Sequence, residues 1–160
     1  MAVIVTTISA TAQLDDIPKI NLLFWSASEL FELLFLLWLW SMGSFLNSIV
    51  HPALKLNTAF FRLTLIYPPL YVLGFMTSFQ KQLPLLLVVV IPLHLVAMFC
   101  MFYNLYFVSK SLVLAETGKS PSFYDYAGPF FLVWFFPIGV WVVQPRINRL
   151  FAENSQSHRK

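Results

Sequence analysis

Charged side chains are scarce in this chain of 160 residues: Lys, Arg, Asp and Glu together make up 11% of it, against about 25% in ordinary globular domains. So few charges could not cover the surface of a water-soluble fold of this size. The single cysteine, Cys100, excludes an internal disulfide and any zinc site built from several cysteines. No arginine-rich patch indicates nucleic acid as a partner.

The sequence also lacks the short motifs that accompany common catalytic sites. It has no HExxH zinc signature, no GxxxxGK phosphate loop, no GxSxG nucleophile turn and no GxGxxG fingerprint. The E-x-x-H pairs of di-iron helical bundles are missing too. We therefore predict no cofactor and no metal, and an enzyme is the least expected class of protein.

Hydrophobic residues, by contrast, make up 59% of the chain, and most lie in four long apolar runs. The runs cover about 22–40, 59–79, 83–108 and 127–143. Because a bilayer core requires about 17–25 apolar residues per helix, the pattern predicts an all-α integral membrane bundle of four transmembrane helices. Residues 1–160 then form a single membrane domain, and Pro18 is expected to separate a short N-terminal lead from the first span.

The distribution of lysine and arginine leaves an alternative topology open. If all four runs span, six basic residues lie on one side and four on the other. If the run at 127–143 turns back near residues 137–139, the split becomes eight to two, which the positive-inside rule favours. Re-entrant backbone must be buried in protein or water, however, and a small bundle offers little room. Four spans are the main prediction, and three spans plus a re-entrant segment are the alternative.

Residues 144–160 are predicted to form a basic interfacial tail with a short helix. Ile147, Leu150 and Phe151 fall at the spacing of one helical face, and Arg146 and Arg149 flank it. Such a helix rests on the headgroup layer, so these two arginines are candidate lipid-headgroup contacts. The alternative is an ordinary juxtamembrane stop signal without lipid specificity.

Four polar residues inside the runs form the candidate intramembrane site: Glu29, Glu32, His94 and Asn104. The two glutamates share one helix face, and the parallel direction of spans one and three predicts that His94 lies at a similar depth. A Glu–His pair could relay protons or bind a cation. Alternatively, a neutral acid and a neutral imidazole hold two helices together. Asn104 is expected to hydrogen-bond across helices.

One run carries a resemblance. The sequence FFLVWFFPIGVWVVQPRINRLF, residues 130–151, resembles the C-terminal signature of a group of small uncharacterised bacterial multi-pass membrane proteins. The stretch HLVAMFCMFYNLYFVSKSL, residues 94–112, is similar to the third span of the same group. The resemblance implies a bacterial cytoplasmic (inner) membrane location and brings no activity with it.

Three functions follow from these patterns. The main expectation is a non-catalytic accessory or scaffold component that binds a membrane-protein partner or forms a homo-oligomer in the lipid bilayer. The first alternative is a small oligomeric transporter or channel, coupled to protons or cations, that uses Glu29, Glu32 and His94. The second alternative is lipid binding or sensing through the basic tail.

Overall fold

The computed structural model describes residues 2–79 and 86–157, with side chains over 23–75 and 88–156. Within these ranges the chain contains helices and no strands, which confirms the all-α prediction. The helices are α1 (Ala2–Ile49), a 3-10 turn (Pro52–Leu54), α2 (Thr58–Phe79), α3 (Leu86–Thr117), α4 (Phe123–Trp134) and α5 (Phe136–Ser157). Contacts divide the chain into two compact units, Met1–Leu34 and Phe35–Lys160, and α1 contributes to both.

Three of the described helices are long and apolar enough to cross a membrane, which identifies an integral membrane protein. The candidate spans are Leu23–Ile49, Thr58–Phe75 and Val88–Thr117. The first and third therefore extend beyond their predicted ends at residues 40 and 108. Four spans are not confirmed, because the fourth apolar run is divided between α4 and α5.

The N-terminal lead and the first span form one continuous helix. Pro18 was expected to separate them, yet α1 runs through it from Ala2. A proline inside a helix removes one backbone hydrogen bond and favours a kink, and here it does not end the helix. This part of the prediction is wrong.

Two stacked rings fix the packing of α2 against α3 in the second unit. The rings of Phe61 and Phe107 lie 4.0 Å apart and 8° from parallel. Gly43 of α1 lies against both rings, since a Cβ there would come within 2.7 Å of Phe61. Around this contact lies the buried core, whose most enclosed apolar members are Leu39, Leu46, Val108, Leu112, Val133 and Val143.

Helix α4 runs antiparallel to α3. Tyr126, near the start of α4, contacts Tyr106, whereas Trp134 at its end contacts Phe102, four residues earlier in α3. Gly118, with a φ of 63°, ends α3 in the left-handed conformation common at helix C-termini. The backbone N–H and hydroxyl of Ser122 donate to Asp125 at 2.7 and 2.8 Å, which holds the pKa of Asp125 below its ordinary value.

Helix α5 runs in the same direction as α1 and antiparallel to α4, so that α4 and α5 form a helical hairpin. Phe136, at the start of α5, packs against Trp38 with ring centres 4.8 Å apart. Fifteen residues later, Phe151 contacts Phe45 further along α1. The two arms are therefore antiparallel, and α5 runs from the tip toward the C-terminal end of α3, where its Arg146 contacts Glu116.

The turn of the hairpin is made at Phe135. Its ψ of 56° replaces the helical value of about −42°, while its N–H still donates to Phe131 and its carbonyl accepts from Gly139 at 2.8 Å. Pro137 lies in the first turn of α5, where a missing N–H leaves no helical bond broken. A Cβ at Gly139 would overlap the carbonyl of Leu132, so this close approach of α4 and α5 requires glycine.

The overlap at Gly139 gives a stability test. Gly139→Ala should lower the free energy of unfolding by about 1–3 kcal/mol, the usual cost of overpacking, because the obstacle is backbone and cannot rotate away. Gly74→Ala is the matched control: its Cβ would meet no atom within 4 Å, and alanine favours a helix over glycine by up to about 1 kcal/mol. Thermal unfolding in mild detergent measures both. Equal midpoints for the two variants would contradict the α4–α5 geometry.

Candidate functional site

Asn104 bonds to the backbone carbonyl that a proline leaves without a donor. Pro68 has no N–H, so the carbonyl of Thr64, four residues earlier in α2, loses its helical partner. The Asn104 side chain, fully buried on α3, donates to this carbonyl at 3.1 Å. In return, the Thr64 hydroxyl donates to the Asn104 side-chain oxygen at 2.7 Å. The predicted cross-helix bond of Asn104 thus has a specific task, which is to satisfy the freed carbonyl.

His94 lies on the surface of the α2–α3 pair and bonds to a tyrosine. Its Nδ1 is 3.2 Å from the hydroxyl of Tyr71, and the two rings lie 5.6 Å apart. One helical turn away, the hydroxyl of Tyr67 donates to the carbonyl of Leu93 at 3.1 Å. Both contacts join α2 to α3, and the partner of His94 is a tyrosine rather than the glutamic acid of the prediction.

Glu29 and Glu32 lie on α1 in the first unit, and both side chains are partly exposed. One carboxyl oxygen of Glu29, Oε2, is buried without a hydrogen-bond partner among the described residues. His94 belongs to the second unit. The predicted pairing of these acids with His94 therefore stays a prediction.

An ion pair closes the open end of the helical hairpin. Arg146 of α5 donates from Nε and Nη2 to the two carboxylate oxygens of Glu116, at 2.8 and 2.5 Å. The side chains are 31% and 15% exposed, so the pair is only partly open to solvent. The hydrogen bond to Glu116 raises the pKa of Arg146, the negative charge of Glu116 adds to this, and burial opposes it. The pair binds α5 to the C-terminal end of α3.

Arg149 lies beside the same pair but is held more loosely. Its Nη2 is 3.9 Å from Glu116 and its Nε is 3.8 Å from Glu153, and its side chain is 64% exposed. Exposed ion pairs at such distances contribute about 0–1 kcal/mol. The headgroup contacts predicted for Arg146 and Arg149 remain predictions, and Arg146 already gives its Nε and Nη2 atoms to Glu116.

Two further amides position α1. Trp38 donates from its indole nitrogen to Gln144 of α5 at 3.3 Å, near the hairpin tip. Asn47 closes the connection to α2: its side chain accepts from the N–H of Leu56 at 2.9 Å and donates to the carbonyl of Leu56 at 3.2 Å. The side-chain amide of Asn47 therefore exchanges two hydrogen bonds with the backbone of Leu56.

An apolar groove lies beneath the hairpin tip. It has a volume of about 280 Å³ and is lined by Phe35, Met98, Met101, Phe102, Leu105 and Trp134. Elsewhere in the described part of the chain, no group of three or more His, Cys, Asp or Glu side chains is placed to hold a metal ion.

Apart from Asn104 and His94, the polar contacts that hold the helices together were not predicted from the sequence. Thr64 could have been found, because Pro68 four residues later marks its carbonyl as unpaired. Glu116 is the only acidic residue between Glu32 and Asp125, but nothing local connects it with Arg146, thirty residues away. Gln144 carries no signal at all, since a lone glutamine at the end of an apolar run usually faces water.

Comparison of the chain with protein-family models, with curated proteins and with solved structures finds no match. The resemblance of residues 130–151 to small bacterial membrane proteins accordingly stays a prediction.

The bond between Asn104 and the freed carbonyl predicts a coupling with Pro68. Asn104→Leu should lower the free energy of unfolding by about 1–3 kcal/mol, because it leaves buried polar groups of Thr64 unpaired. In a Pro68→Ala background the carbonyl regains a helical donor, so the same substitution should cost less. Denaturant titration of the two single variants and the double variant measures the difference. An identical cost in both backgrounds would show that Asn104 does not compensate for Pro68.

The ion pair predicts a second set of stabilities. Glu116→Gln and Arg146→Met should each lower the free energy of unfolding by about 1–3 kcal/mol, since each leaves a partly buried charged group without its partner. The exchanged pair, Glu116→Arg with Arg146→Glu, should regain part of the loss. Arg149→Ala is the control and should cost less than about 1 kcal/mol. An Arg149→Ala effect as large as that of Arg146→Met would contradict the assignment.

Proposed function

We propose that this protein is a non-catalytic component of a membrane assembly, in which three spans hold a re-entrant helical hairpin. The observation that carries the proposal is the use of polar side chains within the second unit. Asn104, Gln144 and Arg146 each bond to another helix. Gln144 and Arg146 hold the hairpin against α1 and α3, and Asn104 holds α2 against α3.

Dimensions support the re-entrant topology. Helix α4 has 12 residues and is therefore about 18 Å long at about 1.5 Å per residue, too short for a hydrocarbon core of about 30 Å. Its tip lies beside Phe102, near the middle of the span Val88–Thr117. The Arg146–Glu116 pair brings the second arm back to the end of α3 where the first arm began. With this topology the basic residues divide eight to two.

Reporters fused to the protein test the topology. One reporter follows Lys160, a second is inserted between Gly118 and Ser122, and a third is inserted beside Lys81. A re-entrant hairpin places the first two on the same side and the third opposite, and the charge distribution predicts that the shared side is cytoplasmic. Opposite sides for the first two reporters would establish four spans and overturn the proposed topology.

The outer face of the hairpin supports an assembly role. Large apolar side chains are exposed along it: Trp141 is 82% exposed, and Phe131, Phe135 and Ile138 are more than half exposed. Aromatic residues are enriched at protein–protein interfaces because they bury a large area with little loss of conformational freedom. We expect this face to meet a neighbouring transmembrane helix or a second copy of the chain. A bacterial inner-membrane location rests on the resemblance alone.

Site-specific photo-crosslinking tests the assembly. A crosslinking amino acid at Trp141 should give a stoichiometric protein adduct in membranes, and purification in mild detergent should retain the same partner or a defined homo-oligomer. The matched control is Leu63, an exposed apolar residue of α2, which should give lipid adducts. A monodisperse monomer without protein adducts at Trp141 would contradict the proposal.

A transporter is the second candidate, favoured by the two acids within the span Leu23–Ile49 and by the polar contact of His94 with Tyr71. The same purified protein distinguishes it. Proton flux into dye-loaded vesicles by the protein alone, lost on Glu29→Gln, Glu32→Gln or His94→Ala, would support transport and overturn the accessory role.

A further inference from the structure

The half-depth hairpin leaves the apolar groove open beneath its tip. Four of the lining residues, Met98, Met101, Phe102 and Leu105, occupy one face of α3 at helical spacing. Trp134 covers this face from the end of α4, and Phe35 closes the other wall. Toward the N-terminal end of α3 the hairpin has ended. Met98 is consequently 43% exposed and Trp134 44% exposed, and the groove opens in that direction.

The lining decides the chemistry of the occupant. None of the six side chains is charged or titratable between pH 2 and 12, and a water needs two to four polar partners to remain in a cavity. A neutral hydrocarbon is the matching partner. The volume of about 280 Å³ is just below the range of about 300–1,000 Å³ found for whole drug-sized ligands. The groove therefore fits part of a molecule, and the two flexible methionines suit an irregular chain.

Depth identifies which part of the molecule this is. The groove lies near the middle of the span Val88–Thr117, about 15 Å below either surface of a hydrocarbon core about 30 Å thick. Lipid chains end at that depth. We infer that the groove binds the terminal part of one lipid acyl chain, from a lipid whose headgroup lies on the side of the α3 N-terminus. This inference rests on the re-entrant topology proposed above.

A photoreactive phospholipid tests the site in the full-length protein. The protein is placed in nanodiscs containing a phosphatidylcholine with a diazirine at the end of one chain, and labelled residues are mapped by mass spectrometry. We expect labelling concentrated at Met98 and Met101. Met101→Trp, which fills the groove, should abolish this labelling. Ile91→Trp, on the exposed surface of the same helix, should leave it unchanged.

A second probe and a second variant complete the design. A lipid with the diazirine beside the ester should not label Met101, because that part of the chain lies near the headgroups. Met98→Phe fills the same groove with a smaller change and should also reduce labelling, which covers a failure of Met101→Trp to fold. Labelling spread evenly over exposed α3 residues, or unchanged in both filled variants, would overturn the site. The reporters test the topology separately, so failure of the lipid site can be distinguished from failure of the proposed topology.

Discussion

Every backbone carbonyl inside hydrocarbon needs a hydrogen-bond donor, and the rest of this fold depends on how α2 meets that need at Pro68. Water cannot reach such a carbonyl cheaply, so a neighbouring helix must supply the donor. Asn104 does so for Thr64. The same register of the two antiparallel helices brings Phe61, three residues before Thr64, onto Phe107, three residues after Asn104. The polar bond and the ring stack therefore select one alignment of α2 and α3.

With that alignment, α3 provides the contacts that hold the hairpin. Phe102 and Tyr106 present rings to α4, and Glu116 presents a carboxylate to α5. The two helices of the hairpin are therefore held at different positions along α3, and Trp38 of α1 packs against the turn. A single change of ψ at Phe135 suffices to reverse the chain, because contacts on three sides determine where the second arm must go.

The parts that the sequence predicted are those set by local pattern. The second apolar run was expected at 59–79 and occurs as the helix Thr58–Phe79, since an apolar run whose one charge lies near its start leaves little choice. The fourth run failed as a single helix because its turn depends on Leu132 meeting Gly139, an encounter between backbones that hydropathy does not encode. Pro137 lies close to the observed break, but the break falls two residues earlier, at Phe135. The reason is that a proline in a first helical turn begins a helix as readily as it ends one.

Long-range polar pairs were beyond prediction for a related reason. Asn104 could be predicted because it is a polar residue within an apolar run. Glu116 and Arg146 lie at the ends of runs, where charged residues are ordinary. The structure gives their pairing a consequence for lipid binding. Glu116 takes the Nε and Nη2 atoms of Arg146 through two charge-assisted bonds, so a phosphate that left this pair intact would have to approach from the Nη1 side of the guanidinium. With the hairpin closed, lipid contact through Arg146 is thus restricted to that side, whereas Arg149, more exposed and held only at 3.8–3.9 Å, is the more accessible of the two arginines.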